Sequence, residues 1–325
     1  MTDIVHTPVL IEETLNLLGP GEQTPNSGSN PVLMIDATTG EGGHSFEFLS
    51  RFKNIKIIAI DADSGILEIA KERLSCFAER VHFYSGWSHD FFADYPSQFK
   101  RPDIILIDLG VSFYHYKKSG KGFTFEKDEY LDMRIDVSTG FTAADLLARL
   151  GERELADLIY NNAQERYSRR IASLIVNDRQ KSTITTTSAL ANLVYRAVPA
   201  SYRHGHIHPA TRTFQALRIA VNGELVKLQS LLEAALRVLK PGGRLGVISF
   251  HSLEDKIVKD FFRTMNKNCI CPENAPICKC TGHRSVNLLT KKGITASKEE
   301  IERNPPSRSA RLRVAEKILD GDDNE

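Results

Sequence analysis

Val32-Leu-Met-Ile-Asp36-Ala-Thr-Thr-Gly40-Glu-Gly42-Gly43-His44 is the stretch on which the fold turns. Its four apolar residues, Val32 to Ile35, predict a short buried strand that closes on an acid, Asp36. A loop with Gly40, Gly42 and Gly43 follows, and the spacing of Phe46, Phe48 and Leu49 then starts a helix. A strand that runs through a glycine-rich turn into a helix is how α/β proteins hold nucleotide-like ligands. Glycine lets the backbone come close, and the helix N-terminus offers N–H groups without intrahelical partners. Several families share this device, so the ends of the other strands must decide between them.

Ile55 to Ile60 is almost continuously apolar and closes on Asp61-Ala-Asp63, as a parallel strand buried on both faces would. A helix from Ser64, read as its N-cap, to Leu74 comes next. Val81 to Tyr84, ending in Ser85-Gly86-Trp87, and Ile104 to Ile107, ending in Asp108-Leu-Gly110, predict a third and a fourth strand. Repeated β units of this kind make an open, mostly parallel α/β sheet. Upstream, Val9 to Leu18 suits a short amphipathic helix, and residues 19–31 form a loop rich in Gly, Pro, Ser and Asn.

The alternation then stops. Residues 111–135 are loop-like, and 141–200 show helical periodicity throughout, so no strand is needed there. This predicts an inserted all-helical domain over 118–208, carried by a discontinuous core of 1–117 and 209–325. The α/β pattern resumes with a helix opened by Pro209 and broken by Asn222-Gly223. A long helix from Glu224 to Leu239 ends at Lys240-Pro-Gly-Gly243, and Arg244 to Phe250 predicts the fifth strand. A further helix runs to about Met265, and Leu312 to Ile318 alternates as a final edge strand would.

The 325 residues are 41% hydrophobic and 26% charged, which predicts packed cores and excludes wholesale disorder. A net charge of +1 gives no bulk signal for nucleic acid, so any such site must come from local clustering. The N-terminus lacks the pattern of a signal peptide, and no apolar run reaches the ~18 residues of a membrane span. A cytoplasmic protein that does not touch membrane is expected. Four cysteines crowd together as Cys269, Cys271, Cys278 and Cys280. Their C-x-C spacing is not the usual C-x2-C knuckle, so a metal-free loop is expected, with zinc as the alternative.

Ligands of open α/β sheets bind over the carboxyl ends of the strands. Those ends carry Asp36 with the glycine loop, Asp61, Trp87 and Asp108. Asp61 follows the loop at about the 20-residue spacing of a ribose-binding acid. A nicotinamide enzyme would want G-x-G-x-x-G, and the third glycine is missing here. An S-adenosylmethionine enzyme would want an acid before the loop, one after the second strand and an Asp after the fourth. It would also want Pro-Gly-Gly before the fifth strand, and all four features are present.

Seven motifs resemble those of one family. They are His6-Thr-Pro-Val-Leu, Asp36 to His44, Asp108-Leu-Gly-Val-Ser112, Gly122-Phe-Thr-Phe125, Leu131-Asp-Met-Arg134, His208 to Arg218 and Ile248 to Asp255. Together, from about residue 6 to 318, they look like the bacterial RsmH (formerly MraW) family. Its members are the cytosine-N4 methyltransferases of small-subunit (16S) ribosomal RNA. The resemblance implies a class I, Rossmann-like, S-adenosylmethionine-dependent methyltransferase fold and S-adenosyl-L-methionine as cofactor. It implies as target N4 of the cytidine at position 1402 of the RNA, met in the assembled 30S subunit. By motif position, Gly42, Gly43, His44, Asp61, Trp87 (often Phe in the family) and Asp108 contact the cofactor. The usual Asp-Leu-Gly-Val-Ser-Ser-Pro-Gln becomes Asp108-Leu-Gly-Val-Ser-Phe-Tyr-His115, so His115 stands where a cofactor-contacting Gln is usual.

Cytosine N4 is a poor nucleophile because its lone pair is delocalised into the ring. An acceptor for the amine hydrogens would localise that pair, and Asp108 is the catalytic candidate; alternatively it only fixes the cofactor. His251 is placed to line a base pocket or to serve as a hydrogen-bonded structural histidine. Arg212, Gln215 and Arg218 share roughly one helix face and fit RNA phosphates or base edges, or ordinary ion pairs. Two other functions remain open at this level: a small-molecule methyltransferase, and a non-catalytic RNA-binding protein regulated by the cofactor.

Overall fold

The computed structural model describes residues 7–20, 31–138, 140–205, 207–269 and 284–318. His6 of the first motif, most of the 19–31 loop, and Cys271, Cys278 and Cys280 lie outside the described residues. In chain order the first elements are α1 (Ile11–Leu18), β1 (Val32–Asp36), α2 (Gly43–Arg51), β2 (Ile55–Asp61), α3 (Ser64–Arg73), β3 (Val81–Ser85), α4 (Ser88–Ala93) and β4 (Ile104–Asp108). A helical run follows: α5 (Phe113–Lys117), α6 (Ala143–Arg149), α7 (Glu152–Ala163), α8 (Ser168–Arg179), α9 (Thr187–Ala197), α10 (Ala200–Arg203), α11 (Ala210–Asn222) and α12 (Glu224–Val238). The chain closes with β5 (Arg244–Ser249), α13 (Ser252–Met265), β6 (Val286–Leu288), β7 (Ile294–Thr295), α14 (Lys298–Arg303) and β8 (Arg311–Lys317).

Two compact units result: residues 1–110 with 227–325, and residues 111–226. In the first, the strand order is β3-β2-β1-β4-β5-β8-β6, with β7 also on β8. Neighbours among β1 to β5 are parallel, whereas β6, β7 and β5 each meet β8 antiparallel. The expected mostly parallel sheet is therefore observed. Successive strand residues face opposite sides, so one apolar run feeds two cores. Ile35, Ile58, Ile60, Ile105 and Ile107 pack with Leu232 of α12 and Val258 and Phe262 of α13. Met34, Ile57, Ala59 and Leu106 pack on the other face with Leu18 of α1 and Phe48 and Leu49 of α2. Strand order reverses between β1 and β4, the switch point where ligands of such sheets bind.

The second unit is helical. Leu147, Leu155, Ile159, Ile171, Ile175, Leu190, Val194 and Leu217 share its core. Its described residues contain one β-bridge, between Tyr130 and Thr186, in a stretch read as free of strand.

Five sequence expectations are corrected. The unit boundaries fall at 110/111 and 226/227, not at 117/118 and 208/209. Helix α11 belongs to the helical unit and not to the α/β part, since Ala210, Phe214, Ala216 and Leu217 bury in the helical core. An amphipathic pattern says that a face is covered but not by what. The cap of α3 is Asp63, not Ser64, because the Asp63 carboxylate accepts from Gly65 N at 2.8 Å and Ile66 N at 3.4 Å. Strand β8 is interior rather than an edge, since the short β6 and β7 cover its far side. Helix α1 starts at Ile11 rather than Val9, because Leu10 is left-handed (φ 51°).

Candidate active site

The candidate site is built in the sheet unit, from the carboxyl ends of β1, β2 and β4. The turn after β1 is fixed by its neighbours: Thr39 N donates to Ile60 O at 2.8 Å, and Gly40 N donates to Asp61 Oδ2 at 2.8 Å. Gly42 then opens α2 with φ 77°, a left-handed conformation that glycine adopts without cost. A Cβ at Gly42 would also press on the Leu74 side chain at 3.2 Å. Together these constraints set the glycine loop against the end of β2.

Asp61 accepts Gly40 N on one oxygen and Asp63 N on the other, at 2.8 and 2.9 Å. A carboxylate is an acceptor, the chemistry that hydroxyl donors such as a ribose diol require. Asp36, at the end of β1, is 1% exposed and receives Ser45 Oγ at 2.6 Å. Burial is the main reason its pKa is pushed up to about 6; hydrogen bonds from Ser45 and Thr38 oppose the shift and the charge of Asp61 adds to it.

Asp108 ends β4, with its backbone N donating to Thr38 Oγ1 at 2.7 Å. Gly110 N donates to its Oδ1 at 3.1 Å, and the side chain is 20% exposed. Burial raises its pKa to about 7, opposed by the Gly110 N–H and reinforced by the charges of Asp36 and Glu254. His44 Nδ1 lies 3.7 Å from Asp108 Oδ2, and its Nε2 is 3.0 Å from Val9 O. A carbonyl can only accept, so Nε2 carries a hydrogen and Nδ1 is the nitrogen turned to the acid. Gly110 leaves room for this acid: a Cβ there would stand 2.6 Å from the Phe250 ring and 3.2 Å from Asp108 Oδ1.

Trp87 precedes α4, and Lys227 of α12 places its ammonium 3.7 Å from the centroid of the indole. A cation at that distance covers one ring face and fixes the ring by cation–π attraction. His251 is the N-cap of α13. Its Nδ1 accepts Glu254 N at 3.4 Å, and its Nε2 is 3.0 Å from Glu254 Oε1. Glu254 is 3% exposed and accepts Phe250 N and His251 N in return.

The other sequence candidates lie in the helical unit. His115 is buried in α5 with its ring centroid 5.0 Å from that of Phe123. Arg212, Gln215 and Arg218 lie on α11. Arg212 is exposed and donates to Tyr202 Oη at 3.3 Å, and Gln215 is half-buried. Arg218 makes a two-pronged pair with Glu224, at 2.9 and 2.8 Å, and also meets Tyr116 Oη at 3.3 Å. Its side chain is 12% exposed, which is the ion-pair arrangement held open by the sequence. The sheet unit thus unites Gly42, Gly43, His44, Asp61, Trp87, Asp108 and His251, and the helical unit holds the remainder.

Sequence reasoning overlooked Thr38, Ser45, Lys227 and Glu254. Only Glu254 had a local signal, the box-like spacing His251-x-x-Glu254. The other three act through contacts set by the fold. Cys269 is exposed, and no helix among the described residues is long and apolar enough to cross a membrane.

The donor set fits S-adenosylmethionine. Asp61 offers acceptors for a diol and Trp87 an aromatic ring. The charges of Asp36 and Glu254 make Asp108 costlier to ionise, which a cationic ligand such as a sulfonium relieves. Comparison with known proteins agrees. The pattern of the MraW methylase family matches residues 3–318. Ribosomal RNA small subunit methyltransferase H of Treponema denticola is 55% identical over 97% of this chain and 98% of that protein. The proteins of the same name from Treponema pallidum and Caldicellulosiruptor saccharolyticus are 40% and 44% identical, over 97% and 96% of this chain and 93% and 99% of theirs. Acids at the switch point, a glycine loop held against them and a family match along almost the whole chain converge: the protein belongs to the MraW methylase family and is an S-adenosylmethionine-dependent methyltransferase.

Proposed function

We propose that this chain methylates N4 of a cytidine in small-subunit ribosomal RNA, with the assembled 30S subunit as its substrate. The observation that carries the reading is the 55% identity, along 97% of the chain, to ribosomal RNA small subunit methyltransferase H. S-adenosylmethionine supplies an electrophilic methyl group when bound, so the protein's work is placement and proton handling. Gly42, Gly43 and His44 hold the donor at the start of α2, and Asp61 takes its ribose hydroxyls. Trp87 offers its indole to the adenine. His115 stands in the sequence position of the family's cofactor-contacting Gln.

Asp108 accepts a hydrogen of the cytosine amine through its carboxylate oxygen. Accepting that hydrogen concentrates the nitrogen lone pair, and the proton released on methylation passes to the same oxygen. A pKa of about 7 leaves Asp108 about half ionised at neutral pH, suited both to take a proton and to return it to water. The base must leave its stack to reach this acid. On the helical unit Arg212, Gln215 and Arg218 are the candidate contacts to RNA, with Arg218 held by Glu224, and on the sheet unit His251, held by Glu254, is the candidate contact to the base.

The test is nucleoside mass spectrometry of small-subunit RNA from a strain lacking the protein. N4-methylcytidine should be reduced there and restored by the purified enzyme with cofactor, acting on 30S particles in preference to free RNA. A signal unchanged by the deletion would remove the N4-cytidine assignment.

A further inference from the structure

We propose that the helical unit binds single-stranded RNA along a ridge where arginines stack on tyrosines, at the α9–α10 corner and the start of α11. This goes beyond the catalytic site and rests on RNA being the substrate. The Arg166 guanidinium lies 4.9 Å from the Tyr167 ring and 4.8 Å from the Tyr202 ring. Arg212 donates to the Tyr202 hydroxyl at 3.3 Å. Arg203, next in sequence to Tyr202, sits 4.7 Å over the ring of Tyr195. Tyr195 in turn stacks on His208, with centroids 6.4 Å apart and planes inclined by only 22°. These contacts join the residues into one continuous patch.

Two features separate this patch from an ordinary solvated face. First, Arg166, Arg203 and Arg212 form no ion pair among the described residues, whereas the neighbouring Arg196 is held by Asp178 at 2.6 Å. Glu165, a carboxylate beneath the patch, is fully buried and already receives the Tyr202 hydroxyl at 2.7 Å and Tyr167 N at 2.9 Å. It anchors the tyrosines from beneath and leaves the outward charge positive. Second, Tyr195 is 39% exposed despite its size. Cations that carry no carboxylate, interleaved with exposed aromatic faces, suit a strand with phosphates on one side and unstacked bases on the other. Arginine serves both needs, as a flat cation that stacks and as a fork for phosphate oxygens. A base that is to be methylated must be unstacked, so the RNA offered to this ridge is single-stranded.

The experiment uses the full chain and a short labelled single-stranded RNA, with affinity followed by fluorescence anisotropy across a salt series. S-adenosylhomocysteine binding by calorimetry confirms that each variant is folded. The double variant Arg166→Gln, Arg212→Gln should reduce the salt slope by about 0.7 per cation removed, while leaving cofactor affinity as in the wild type. Tyr195→Ala should weaken RNA binding about 10-fold with no change in slope, because a stacked base and not a phosphate is lost. Arg203→Lys keeps the charge and loses the flat stacking group, so it should behave like Tyr195→Ala. Wild-type slope and affinity in the double variant would overturn the proposal. So would an unaltered affinity in Tyr195→Ala with heparin displacing RNA as well as RNA does, which marks a face for any polyanion. Failure of the wild type itself to bind the RNA would also overturn the proposal, whereas failure to methylate 30S particles would overturn the substrate reading on which it rests.

Discussion

Asp108→Asn is the sharpest test of how this site works. The carboxyl group is four-fifths buried, 3.7 Å from His44 Nδ1, and its pKa is raised to about 7. If the ionised form is the acceptor for the amine, only that form supports transfer. About one-tenth of the enzyme would be competent at pH 6, half at pH 7 and nine-tenths at pH 8. The kcat/KM for the cofactor reports the free enzyme, so it should climb about 5-fold from pH 6 to 7, approach about 10-fold per pH unit below 6, and level off above 8. Asn keeps an oxygen for Gly110 N but loses most of the proton affinity. Transfer should then fall by about 10²- to 10⁴-fold, and the residual rate should be flat in pH. Rates by tritium transfer and S-adenosylhomocysteine affinity by calorimetry separate chemistry from binding. Cofactor affinity lost in step with activity, or a wild-type profile flat from pH 6 to 8, would refute the amine role and leave Asp108 as a cofactor anchor.

Three further outcomes follow from named contacts. Asp36 is raised from 3.8 to about 6, so its contribution to stability is fully present below pH 4 and lost as pH rises through 6. The loss is about 3 kcal/mol in wild type, and denaturant melts of Asp36→Asn should lack that fall between pH 4 and 6; parallel curves would remove the buried-acid account. Gly110→Ala drives a methyl group to 2.6 Å from the Phe250 ring and crowds Asp108, so kcat should drop by roughly 10²-fold while the circular dichroism stays native; wild-type turnover would mean that the corner yields freely. Trp87 is the single tryptophan, so its fluorescence reports the site. Lys227→Met should alter that emission and weaken S-adenosylhomocysteine binding about 5-fold, with Lys227→Arg restoring both; unchanged emission in Lys227→Met would show that the ammonium does not hold the ring.

Much of the site was legible in the chain because it is made of short-range units. A parallel strand buried on both faces must be apolar throughout, and the residue that follows it must leave the core. Asp36, Asp61 and Asp108 could therefore be placed at strand ends without coordinates. Their meeting at one point follows from strand order, with β1 between β2 and β4. The helical insertion was also visible, since leucines at helical spacing admit no strand. Helix α11 was misplaced because periodicity reports that a face is buried and not which core receives it.

What the sequence determined by itself is the set of parts: strand-end acids, a glycine loop before a helix, a helical insertion, and motifs that together match one methylase family. These depend on neighbours within a few residues. Only the tertiary structure decided how the parts are charged and held. It turned His44 toward Asp108 through a carbonyl 35 residues away at Val9, and it laid Lys227 on Trp87. It tied Arg218 to Glu224 and left Arg166, Arg203 and Arg212 with no ion pair among the described residues. Electrostatics and burial depend on what lies within a few ångströms in space, and that is fixed only when distant segments pack together.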